Sequence, residues 1–537
     1  MDFINAQKKT LPAECLITAV SGAVLFGGLL LYLDIPKLNF PYAALYWTGL
    51  FLCLFFIPKK WLIHCVLPVL QGWWGMDRKE SHRLFFTAGI STLVSSLAAH
   101  GFLFTNEFFS HDSLSLMLSG PRRLGGLEFF TKVGRFLIPS YEGLRGNTTN
   151  SPWVVGLLFL IFMCLSAVFL VRLLDIQSTV GIALTSSLLC TSVTLSLTGA
   201  TYVYAMDEYA LALLLSILAV FLLQRHCTIL SIICAAASLG FYQAYFSVAF
   251  VLILFCIIRA LTTNGSLFSI VRQGFWYLFI LFLSFCLYFF VWNFLIFILE
   301  LEKMRMSETL LGNGFSALFP LLKNALLNYA HYLTDDRGIL GILYPTITGL
   351  TILLIALWAF GHLLNAVIST PNKILIMLVL SFLPIAFNLS YILFMGNSSE
   401  LVSFANGLIF IFLIFCWEHP PKPASSLCHR CRVVGAALLC IICWHNIVFA
   451  NQTYMKKELE KNATISLATR VISRIEAVDG YVPTKTPVIF YPPANSLGDN
   501  YHIQYKYREC FADLYTYAGL WHNYSTSTVA QFPGYIT

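Results

Sequence analysis

Where an apolar run gives way to water, the stretch FLFTNEFFSHDSLSL (102–116) places Glu107, His111 and Asp112 close together. Basic residues follow in the same segment: Arg122 and Arg123 in GPRRLGG, Lys132 and Arg135 in KVGRFL, then Arg145. A carboxylate beside cations suits transfer of a sugar away from a phosphate leaving group. The acid takes the proton of an incoming hydroxyl while an arginine or lysine balances charge on the departing phosphate. On this reading Asp112 is the candidate base, with Glu107 and His111 beside it. Arg135, with Arg122, Arg123 or Lys132, is the candidate phosphate ligand. The plainer alternative is a charged loop that water merely solvates.

The elements that must position these groups are membrane helices. Of 537 residues, 58% are hydrophobic and only 11% charged, and the mean hydropathy is +0.75. A soluble domain carries about 25% charged residues. Apolar runs long enough to cross a bilayer recur along most of the chain. They predict about thirteen spans, near 12–33, 42–58, 84–104, 153–173, 178–198, 205–224, 227–241, 243–260, 275–298, 338–360, 373–394, 402–417 and 433–451. The seventh is short, so 227–260 reads as a tight helical hairpin or a re-entrant segment.

Lysine and arginine fix the orientation. With a cytoplasmic N-terminus, the inner segments hold Lys8, Lys9, Lys59, Lys60, Arg78, Lys79, Arg83, Arg172, Arg225, Arg259, Arg272, Lys373, Lys422, Arg430 and Arg432, whereas the short outer loops hold little beyond Lys37. An odd number of spans then puts the C-terminus outside. Three regions follow. Residues 1–83 form a two-span leader plus an interfacial helix at 59–83, with Trp73 and Trp74 at headgroup level. Residues 84–451 form a multi-span core whose first long outer loop is 105–152. Residues 452–537 form a small extracytoplasmic extension with an amphipathic helix and a strand candidate in TPVIFY, hence α/β in character. The fold class expected is an all-α integral membrane protein carrying that extension.

Asp207 and Glu208 open the sixth span from the outer side. Acids there are favoured by the helix dipole; the alternative is a second carboxylate that faces the site and orients an acceptor or a metal. Tyr242 and Gln243, in SLGFYQAYF, divide between interhelical packing and substrate contact. No Asp, Glu, Lys or Arg lies in the middle of a span, which disfavours ion-coupled transport. A lipid-linked sugar flippase or exporter, and an O-antigen polymerase or ligase with its site in 299–337, are the competing readings. No P-loop, dinucleotide fingerprint or zinc-protease helix occurs, nothing points to nucleic acid, and the lone C-x-x-C at Cys428 and Cys431 cannot complete a tetrahedral metal site. No metal ligands are assigned, and a requirement for a divalent cation is left open.

In layout and motif order, from about residue 84 to 490, the chain resembles the bacterial membrane glucosyltransferases that modify O-antigen, the serotype-converting group. These are similar to the wider GT-C class of multi-span enzymes using polyprenyl-phosphate sugars. The acidic residues of the first outer loop correspond to SHD (110–112), the Gly-Arg motif to VGRFL (133–137), the Tyr-Gln signature to SLGFYQAYF (238–246), and the segment after the last span to 450–475. The resemblance implies a GT-C-like fold in the bacterial plasma membrane. It implies a hexose donor, most simply glucose on polyprenyl monophosphate, a surface polysaccharide acceptor, and upstream a carrier-charging transferase and a flippase. One departure stands out. The family places two adjacent acids where this chain has His111 and Asp112, so either Asp112 acts alone or Glu107 supplies the second carboxylate.

Overall fold

A computed structural model of the protein describes residues 78–106, 124–145, 151–263, 265–302, 318–334, 343–393, 400–421, 426–482 and 486. The described chain is helical, without a strand. Nine of its helices are long and apolar enough to cross a membrane, and Thr228–Phe241 and Phe404–Glu418 are shorter apolar ones. Eleven of the thirteen expected spans therefore have a helical counterpart, and the first two lie outside the described residues. So do most of the interfacial helix expected at 59–83 and nearly all of TPVIFY. Residues 78–83 begin the first long helix, and 452–476 continue the last one as helix.

That first helix, α1 (Arg78–Thr105), leads into the long connection that holds α2 (Leu124–Lys132) and α3 (Ile138–Leu144). Next come α4 (Pro152–Leu174), α5 (Thr179–Cys190) and α6 (Val193–Thr201). The fifth expected span is thus two helices. The break frees the carbonyl of Cys190, and buried His100 of α1 restores a partner, its Nε2 lying 2.9 Å from that oxygen. The other ring nitrogen of His100 is 2.7 Å from the hydroxyl of Tyr454. A freed backbone group in an apolar interior needs such a substitute.

The helices α7 (Met206–Gln224), α8 (Thr228–Phe241) and α9 (Phe246–Thr262) form the centre of the bundle. Small hydroxyl residues join them: Ser231 and Ser238 donate to the carbonyls of Ala219 and Ala212, and Ser216 donates to that of Tyr245, all at 2.7–2.8 Å. Serine at a helix contact lets backbones approach and supplies the bond. The 14 residues of α8 rise about 21 Å, short for a 30 Å core. Its far end nevertheless reaches the start of α7, where Tyr242 packs tilted against Tyr209 with ring centroids 4.5 Å apart. Arg259, near the end of α9, then returns to donate to Gln224 Oε1 and to Leu173 O. The segment is a tight helical hairpin.

Beyond it run α10 (Leu267–Ile298), α11 (Leu318–Thr334), α12 (Leu343–Leu364), α13 (Thr370–Phe387), α14 (Leu389–Leu393), α15 (Leu408–Glu418) and α16 (Ser426–Glu476). The 51 residues of α16 span about 75 Å, far more than a bilayer, so the helix carries on past the last span. α11 lies in the segment 299–337, for which no helix is expected from the sequence. It buries Ala325, Tyr329 and Tyr332 and leaves Phe319 and Leu327 exposed.

The bundle has two chemically distinct ends. At one, Arg172, Arg225 and Arg259 close α4, α7 and α9. There Glu418 caps the start of α5, accepting from the backbone of Gln177 and Ser178 and from the Ser178 hydroxyl. At the other end lie α2, α3, the turn before α7 and the turn between α8 and α9. The carboxylates and cations of interest meet there.

Candidate active site

Asp207 and Glu208 are not solvated helix-terminal acids. They occupy the first turn of α7 and are 0% and 1% exposed. What holds them is Arg145, just after α3, whose side chain is itself buried. Its Nη1 lies 2.5 Å from Asp207 Oδ1 and 3.0 Å from the carbonyl of Tyr204, and its Nη2 lies 3.4 Å from Glu208 Oε1. Tyr141, one turn earlier on α3, donates to Asp207 Oδ2 at 2.7 Å. Both oxygens of Asp207 are therefore engaged. Those of Glu208 have the arginine as an ion-pair partner but no hydrogen bond among the described residues. Two neighbouring carboxylates thus differ: one is fully used within the protein, the other has acceptor capacity to spare.

Glu142 joins the network 4.0 Å from Arg145 Nη2. Sequence reasoning passed over it, although the i, i+3 spacing of Glu142 and Arg145 on one short helix is a pairing signal. Burial raises its carboxyl to about 7, against the pull of Arg145 and with help from the charge of Asp207. Three acids facing one arginine would leave excess negative charge in a dry place, and a proton on Glu142 relieves it.

Arg135 is presented differently. α2 ends at Lys132 in a Schellman turn: Arg135 N–H donates to Phe130 O at 2.7 Å and Gly134 N–H to Thr131 O at 3.0 Å. Gly134 takes φ +78°, where a side chain would be strained and would also run into Tyr288 and Gln243. Beyond the turn the Arg135 guanidinium lies over the ring of Tyr242, 4.5 Å from its centroid, a cation–π contact. The Tyr242 ring leads on to Tyr209 and Tyr245, and Tyr209 to Tyr202, making an aromatic wall. Arg135 Nε makes no hydrogen bond among the described residues.

The structure thus brings together Arg135, Arg145, Tyr242, Gln243, Asp207 and Glu208, and adds Tyr141 and Glu142. Lys132 is half-buried at the C-terminus of α2. Glu107, His111, Asp112, Arg122 and Arg123 lie outside the described residues. Among those described, no group of three or more His, Cys, Asp or Glu could hold a metal ion.

A multi-span helical membrane protein with buried ionic chemistry gathered at one end of its bundle is the class these features define. The chain matches the family described as Glucosyl transferase GtrII over residues 101–416. It belongs to that family, which makes it a membrane glycosyltransferase and agrees with the group indicated by its motifs. No curated protein and no solved structure matches the chain.

Proposed function

We propose that the protein moves glucose from a polyprenyl-monophosphate carrier to a hydroxyl of a surface glycan such as O-antigen, on the extracytoplasmic side of the bacterial plasma membrane. The observation that carries this reading is the placement of Arg135. It is a guanidinium whose buried Nε bonds nothing among the described residues, backed by an aromatic wall, at the same end of the bundle as the buried carboxylates and opposite Arg172, Arg225 and Arg259. The latter three mark the cytoplasmic end by the positive-inside rule. The N-terminus then lies in the cytoplasm and the C-terminus outside, and donor reaches the site after a charging transferase and a flippase have acted. A GT-C-like arrangement, with the prenyl tail among the spans, fits this layout.

In the reaction the acceptor oxygen attacks C1 of glucose. The C1–O bond to phosphate breaks with its electron pair, and polyprenyl phosphate departs as an anion. Asp112, with Glu107 or His111 close by, takes the acceptor proton. Arg135, with Arg122, Arg123 or Lys132, receives the phosphate charge. Asp207, saturated by Arg145 and Tyr141, positions; Glu208, with unused acceptor capacity, suits a sugar hydroxyl.

Purified protein given synthetic polyprenyl-phosphate glucose and an acceptor glycan is expected to form a new glycosidic bond, and to form none from a nucleotide sugar. Asp112→Asn should lower the rate by about 10²–10⁴-fold at unchanged protein yield. Movement of the carrier lipid across vesicles without bond formation would instead make the protein a flippase. Full activity in the Asn variant would remove Asp112 from the mechanism.

A further inference from the structure

The Gly134–Arg135 and Tyr242–Gln243 pairs are separated by more than a hundred residues, and read alone each is a weak signal. In the fold they touch. Gln243 Nε2 donates to the carbonyl of Val133 at 2.9 Å and lies 3.1 Å from the hydroxyl of Tyr288. That hydroxyl donates to the carbonyl of Gly134 at 3.1 Å. One turn along α10, Trp292 Nε1 donates to the carbonyl of Thr131 at 2.6 Å. On the other side of Arg135, Leu137 N–H donates to the carbonyl of Gly240 at 3.1 Å. Three side chains from two elements thus grip three carbonyls of one turn, and a backbone bond closes it from the far side.

This is more fixing than chain reversal requires, because the Schellman bonds alone already end α2. The turn displays Arg135, whose guanidinium rests on the Tyr242 ring and whose Nε bonds nothing among the described residues. A rigid backbone carrying a guanidinium with unspent donors is the arrangement expected of a pre-organised anion ligand. It also places the two members of the Tyr-Gln pair. Tyr242 supports the guanidinium from beneath, and Gln243 fixes the backbone that aims it.

We propose that Gln243, Tyr288 and Trp292 are positioning residues that act through Arg135, locking the Gly134 turn so that the guanidinium meets the phosphate of the donor. The assignment rests on the reading of Arg135 given above. It makes Gln243 part of donor recognition without contact to the donor.

The test is a double-mutant cycle on Arg135 and Gln243, read as the donor KM and kcat of the full chain with synthetic polyprenyl-phosphate glucose. Arg135→Ala is expected to lower kcat/KM by about 100-fold, and Gln243→Ala by about tenfold through the donor KM. The double variant should be no worse than Arg135→Ala, because Gln243 has nothing left to aim. Tyr288→Phe keeps the ring packing and removes only the hydroxyl, so it repeats the test where Gln243→Ala folds poorly. Losses that multiply in the double variant would overturn the proposal, since Gln243 would then act independently of Arg135. Unchanged donor kinetics in Arg135→Ala would overturn the underlying assignment of Arg135 itself, an outcome distinct from the first.

Discussion

Arg145→Met protein is expected to accumulate poorly and to melt far below the unmodified protein. The reason is an imbalance of buried charge. Arg145 is the cation shared by Asp207, Glu208 and Glu142, and it reaches Asp207 at 2.5 Å with neither side chain open to water. Removing one partner of a buried pair leaves the other uncompensated, at a cost of about 3–5 kcal/mol. Here the stranded carboxylates are in one place, so the effect lies toward the upper end. Arg145 also binds the carbonyl of Tyr204, which enters the turn leading to α7. Its loss therefore loosens the attachment of α3 to the bundle. Asp207→Asn in the Arg145→Met background removes one of the stranded charges and should recover part of the lost stability. Thermal melting in detergent measures both. A shift no larger than that of a surface substitution would show that the network is not the tether described here.

Arg135→Ala should do the reverse: near-normal yield, with transfer reduced about 10²–10³-fold, as when a single transition-state charge ligand is removed. Its guanidinium makes a ring contact with Tyr242, and its Nε bonds nothing among the described residues. Deleting it strands no buried charge in the way that deleting Arg145 does. Arg135→Lys keeps the charge but loses the planar fork and the stacking, so it should recover only a part of the activity. Yield and transfer measured side by side in the Arg145 and Arg135 variants separate the two roles. If Arg135→Ala transfers glucose at the normal rate, the phosphate ligand must be sought elsewhere.

How much of this was legible in the sequence follows from the kind of signal each feature leaves. Helices in lipid leave a compositional signal, and each expected span from residue 84 onward has a helical counterpart, the last within a much longer helix. The break between α5 and α6 left none, because Thr191 and Ser192 are two more hydroxyl residues in a segment that has them throughout, and the compensating His100 sits in another helix. α11 left no span signal because Lys323, Asn324, Asn328 and His331 break its apolar run, so the segment reads as loop. Asp207 and Glu208 were legible as acids at a helix start. Their burial was not, since it depends on an arginine some sixty residues earlier whose own partners are set by tertiary contact. The joining of Gly134–Arg135 to Tyr242–Gln243 is of the same kind. Tyr288 and Trp292, spaced i, i+4 on α10, look in sequence like two more aromatic residues of a lipid-facing helix.

The account depends most on which side of the membrane the Arg135 and Asp207 end of the bundle faces. Leu144, beside Arg145 at that end, is 88% exposed, and Ala366, between α12 and α13 at the opposite end, is exposed as well. Single cysteines placed at each position, in cells treated with a membrane-impermeant maleimide, measure the orientation against the background of the unmodified protein. Labelling of Leu144→Cys in intact cells, with Ala366→Cys reacting only after the membrane is opened, is the result predicted. The opposite pattern would put the carboxylates and Arg135 in the cytoplasm and contradict transfer to a surface glycan.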